Sequence, residues 1–198
     1  MTSNSSGTYT LDAEKLKLNA YRLKCLFYAN MEIARTSDPE NPTNAAALLE
    51  RQFFSREMTE LLLSIAIGIR VMDDQMLALN PDNELRIKYL ARRDTMNKKW
   101  DCMMFNTMPL REVCNKIIHA VVVEPHSTER TGAHQTDEYN WMGYADAKEE
   151  SPEVAWEEPE PVKWNHLSGS IRLGGSRGKE QWWHLLMVPD FVEAVYEL

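Results

Sequence analysis

The sequence predicts a mainly α protein: a helical bundle with an appended C-terminal β-hairpin and a short terminal helix. Three observations predict it. Apolar residues recur at three- and four-residue steps through most of residues 11–123, the period of amphipathic helices. Residues 124–161 lose that period and become Glu- and Pro-rich. From His166 onward, two β-rich runs flank a glycine-containing turn, and a last helical run follows them.

Residues 1–10 are polar and aperiodic and read as a disordered leader. From Leu11 to Thr36 an apolar stripe (Leu16, Ala20, Leu23, Leu26, Phe27, Ile33) runs beside Lys15, Lys17, Arg22, Lys24 and Glu32, so the segment reads as a helix. Pro39 and Pro42 stop it, and Thr43 or Asn44 can cap the next helix. That helix, about 44–79, carries Leu48, Leu49, Phe53, Phe54, Met58, Leu61, Leu62, Ile65, Ile69, Met72, Met76 and Leu77, with a break open near Gln52–Ser55. Its run Leu61–Ile69 is apolar nearly all round, which predicts a place at the centre of the bundle. Residues 83–105 form a third, more polar helix anchored by Leu85, Tyr89, Leu90, Trp100, Met103 and Met104. Thr107 as N-cap and Pro109 in the first turn open a fourth helix over Leu110–Ala120, and Ala120–Val123 is either buried or unwinds into a strand before Pro125.

Residues 124–161 read as a long acidic insertion or lid, and residues 162–198 as the hairpin plus the short helix Phe191–Leu198, packed on the bundle. The hairpin strands are His166–Gly174 and Gln181–Val188, joined by a loop over Gly175–Glu180. Gly174–Lys179 superficially resembles a phosphate loop, but Leu173 stands at the first glycine position and Glu180 where Ser or Thr would bind magnesium, so it reads as a turn.

The 198 residues suffice for one domain with its own core, or for one domain plus an appendage. The net charge is −8, yet residues 1–123 hold 15 acidic and 16 basic side chains while residues 124–161 hold 11 and 2. The acidity is thus local, and a nearly neutral helical body stays compatible with a basic patch that meets RNA. No apolar run is long enough to span a bilayer and the first residues lack a signal pattern, so the expectation is a cytosolic protein with no membrane association. Cys25, Cys102 and Cys114 have no Cys-x-x-Cys spacing and read as reduced packing thiols. His126 and His134 with Glu124 and Asp137 lack a recognised ligand spacing, so no metal and no cofactor are expected.

One stretch carries a chemical pattern. On the helix Leu110–Ala120, Leu110, Val113, Cys114, Ile117 and Val121 make an apolar stripe, and Arg111, Asn115 and His119 climb the opposite face at i, i+4, i+8. A guanidinium, an amide and an imidazole in that order suit phosphate binding and proton transfer. Arg70 and Asp74, one turn apart, read as a surface ion pair or as support for the Arg111 face. Arg92, Arg93, Lys98 and Lys99, near Tyr89 and Trp100, form the most basic run, either a solvated helix face or a nucleic-acid contact.

The arrangement Cys114-Asn115-Lys116-Ile117-Ile118-His119 on a late helix of a bundle resembles the signature of the HEPN superfamily, an Arg, commonly a following polar residue, and a His four to six residues beyond the Arg. Asn115 and His119 match the polar and His positions; Cys114 occupies the Arg position, and Arg111 lies one turn earlier. The resemblance spans about ten residues as a motif and residues 11–123 as an architecture. It implies a dimeric helical bundle of a bacterial defence or toxin–antitoxin type, with a neutralising protein partner and a candidate metal-independent ribonuclease activity. In that chemistry the RNA 2′-hydroxyl attacks its neighbouring phosphate, His119 moves the proton, Arg111 stabilises the phosphate charge and Asn115 orients a partner. The alternative is a non-catalytic helical dimerisation or protein-interaction module.

Overall fold

In the computed structural model, residues 13–37, 44–132, 149 and 162–198 are described. Among them five helices and four strands follow in the order α1 (Ala13–Thr36), α2 (Ala45–Ala78), α3 (Glu84–Lys99), β1 (Met103–Met104), α4 (Leu110–Ile118), β2 (Val122–Gly132), β3 (Val162–Arg177), β4 (Glu180–Met187) and α5 (Val188–Glu197). The protein is mainly helical, with a small antiparallel sheet of order β1-β4-β3-β2.

The helices begin where the sequence predicts them, but α3 stops at Lys99, short of the predicted end at residue 105. Asn44 caps α2, its side chain accepting from Ala47 N at 2.8 Å, and α2 continues unbroken through Gln52–Ser55. Asn83 caps α3 in the same way. At α4 the cap differs from expectation. Pro109 is the N-cap residue, without a side-chain bond, while Thr107 reaches Asp101 and the Leu110 N–H donates to Asn97 Oδ1 at 3.0 Å. A neighbouring helix therefore supplies the acceptor expected of Thr107.

α1 and α2 run antiparallel. Leu16 lies against Gly68, Asn19 donates to Ser64 at 3.0 Å, and Phe27 meets Phe54 edge-on with ring centroids 5.6 Å apart. Their shared core of Leu23, Met58, Leu62 and Ile65 is closed by Val113 and Cys114 of α4, by Ile171, Leu173 and Leu186 of the sheet, and by Phe191 of α5.

The β element is larger than a hairpin. β2 extends through Gly132, so the first part of the stretch read as an insertion is a strand, paired with β3 from Val122↔Gly174 to Gly132↔Val162. β1, from the segment read as the end of the third helix, adds to the other edge through Met103↔Leu186. The turn is also tighter than expected: Arg177 faces Glu180 across Gly178-Lys179, with Gly178 at φ +64°. A two-residue turn with positive φ at its first residue matches the right-handed twist of the strands. Gly174 and Gly175 are strand residues, paired with Trp183 and Trp182. Each accommodates an indole ring, because a Cβ at Gly174 would fall 2.0 Å from Trp183 and one at Gly175 2.4 Å from Trp182. These glycines serve side-chain packing across the pair, not a loop. No described helix is long and apolar enough to cross a membrane.

Candidate functional site at the junction of α2, α3 and α4

Asp73 lies on α2 one turn beyond Ile69, on the stripe that buries Leu62, Ile65, Ala66 and Ile69, and is only 1% exposed. A carboxylate forced into a core position needs donors, since an unpaired buried charge is costly. It has three. The Tyr89 hydroxyl and Arg93 Nη1 of α3 donate to Oδ1 at 3.0 and 2.8 Å, and Arg111 Nη1 of α4 donates to Oδ2. Arg111 Nη2 bonds Asp74 Oδ1 at 2.7 Å, so its fork spans both carboxylates. Arg70 is only 3.8 Å from Asp74, and its Nε is buried without a hydrogen-bond partner.

Electrostatics follow the geometry. Burial pushes the Asp73 carboxyl upward, but hydrogen bonds from Arg93, Arg111 and Tyr89 outweigh it and hold the group below its ordinary range. Burial, followed by the adjacent Asp73 charge, raises the Tyr89 hydroxyl and keeps it a donor. Hydrogen bonds to Asp74 and Asp73 raise Arg111 further above its usual value. Three helices are thus tied at one point by charge-assisted hydrogen bonds.

The expected site residues do not gather into one constellation. Arg111 is engaged by Asp73 and Asp74. Asn115 Nδ2 donates to Glu112 Oε1 at 3.1 Å along the surface of α4. His119 is the exposed C-cap, its N–H bonded to Asn115 O at 3.0 Å, at the corner where the chain enters the sheet through Val121 N to Gly174 O. Eight residues separate Arg111 from His119, about 12 Å along a helix axis. Cys114, the residue that the motif resemblance sets at an Arg position, is fully buried, and burial raises its thiol. Of the basic run, Arg93 points inward to Asp73, Arg92 lies 3.5 Å from the Leu198 carbonyl oxygen, and Lys99 pairs with Glu197 of α5. Lys98 is exposed. The run therefore docks α3 on its neighbours along most of its length.

No protein-family model, curated protein or solved structure matches this chain. His134 and Asp137 lie outside the described residues, and among the described residues no cluster of three or more His, Cys, Asp or Glu side chains could hold a metal ion. Sequence reasoning missed the central member of the junction, Asp73, and its partner Tyr89. The signal was present, since Asp73 continues the Ala66–Ile69 spacing of an apolar stripe, where a carboxylate is out of place.

Proposed function

We propose that this chain is a HEPN-like, non-catalytic helical interaction module that acts as a homodimer. The observation that carries the reading is the state of Arg111. The Arg111 guanidinium spends donors on both Asp73 and Asp74, whose two charges more than offset its own, so the three groups together offer an approaching phosphate no net positive charge, and drawing Arg111 away would leave the buried Asp73 charge short of a donor. With His119 exposed at a helix end and Arg111 held by Asp73 and Asp74, the described residues of one chain bring no acid–base pair together beside an anion site. The dimer half of the reading draws on the exposed apolar side chains of the two longest helices, among them Leu18, Tyr21 and Tyr28 of α1 and Leu49, Phe53 and Ile67 of α2. Where such groups line up contiguously along one helix face they mark an interaction site. The cytosolic placement belongs to this same proposal.

Two measurements test it. Sedimentation is expected to give a dimer at micromolar concentration, and a monomer throughout would overturn the reading. Incubation with RNA is expected to give the same background for the wild type and His119→Ala; cleavage abolished by that substitution would instead establish the ribonuclease.

A further inference from the structure

The run Leu61–Ile69, apolar nearly all round, is not wholly buried: Leu61, Leu62, Ile65, Ala66 and Ile69 face the core, while Leu63 is only partly covered and Ile67 faces out. Followed along the outside of α2, this outer line reads Leu49, Phe53, Arg56, Glu60, Leu63, Ile67. The steps are 4, 3, 4, 3 and 4 residues, a heptad seam that stays on one side of a helix. Leu49, Phe53 and Ile67 are 55, 46 and 50% exposed, and Arg56 and Glu60 are open as well.

The line is its own mirror about Met58. Leu49 and Ile67, Phe53 and Leu63, and Arg56 and Glu60 are each equidistant from it. When two copies of such a helix run antiparallel about a two-fold axis at that level, apolar residues meet apolar residues in both halves, and each Arg56 meets the other copy's Glu60. A two-fold interface requires this self-complementarity. In the single chain Arg56 Nε and Glu60 Oε1 are 2.9 Å apart, a pair of one turn that leaves both groups at the surface and able to reach across. From Leu49 to Ile67 the seam runs about 27 Å, roughly five helical turns.

We infer that the outer face of α2 is a homodimer interface, built by antiparallel pairing of two α2 helices with reciprocal Arg56–Glu60 contacts. The inference rests on the dimer proposed above and assigns its surface. It also accounts for why a helix with one core face is apolar on two sides.

Charge reversal tests it without touching the core. Arg56→Glu alone sets a second carboxylate opposite Glu60 at both reciprocal contacts, and Glu60→Arg alone places two arginine pairs in opposition. Each variant is expected to dimerise at least about tenfold more weakly. Mixed one to one, the two variants are expected to form a heterodimer, because like charges no longer face each other at every contact as they do in either variant alone. An ion pair used only within one chain cannot give that rescue. As a second readout, the double variant Leu49→Cys/Ile67→Cys is expected to cross-link between chains under a mild oxidant. Leu49→Cys alone is not, because its two copies would stand about 27 Å apart. If both charge variants remain dimeric, or the mixture fails to pair and no cross-link forms, the α2 interface is wrong while the dimer reading survives. A monomeric wild type removes both.

Discussion

Replacing Asp73 by Ala tests the three-helix junction directly. The substitution strips the acceptor from the Tyr89 hydroxyl, which is itself buried, at a cost of about 1–3 kcal/mol. Arg93 and Arg111 lose a charged partner, but their side chains are 25 and 30% exposed, so water recovers much of the loss. About 1 kcal/mol is assigned to the two together. Relief from burying the carboxylate offsets part of the sum, leaving a net destabilisation of about 2–3 kcal/mol. For a chain of this size that lowers Tm by about 4–12 °C. Urea unfolding followed by circular dichroism measures it, with Asp74→Ala as the exposed control at under about 1 kcal/mol. The pH dependence gives a second check. The folded-state pKa of Asp73 lies below its unfolded value, so its contribution is complete above about pH 4 and lost as pH falls through the lower folded value. The stability gap between wild type and variant should be flat from about pH 5 to 8 and close only at more acidic pH. A gap under about 0.5 kcal/mol at neutral pH, or one that widens on acidification, refutes the reasoning.

Three further outcomes are expected. Gly175→Ala places a Cβ 2.4 Å from the Trp182 ring and 2.9 Å from the His119 carbonyl oxygen, which cannot swing aside, and should cost about 1–3 kcal/mol in a denaturation curve. Gly174→Ala pushes on Trp183, a half-exposed ring free to turn outward, and should cost less; the reverse order would contradict the packing described. Thiol labelling of the native protein should find Cys25 first, because Cys102 is buried with its thiol pushed up to about 12 and Cys114 is fully enclosed, so two rapidly reacting thiols would be inconsistent with the fold. Asn44→Ala should lower stability by about 1 kcal/mol in a thermal melt and Asn44→Asp by much less, whereas equal losses would place the capping role elsewhere.

What the chain states by itself is local. Helix periods, the end of α1, the Asn44 cap and the glycine turn rest on residues within a few positions of one another, and each is found where the sequence puts it, the turn two residues tight rather than six. The strand from Val122 to Gly132 was less visible, because half of it carries charged and polar side chains on an open sheet face and only pairing with β3 holds it extended. β1 is two residues long and exists because β4 offers it an edge. The same division runs through the site. The sequence places Arg111, Asn115 and His119 on one helix at helical spacing, but whether a guanidinium is offered to a ligand or consumed by the protein depends on carboxylates 37 and 38 positions away. Charges attract through space, and only the packing of α2 against α3 and α4 brings Asp73 within reach of the donors that those two helices carry.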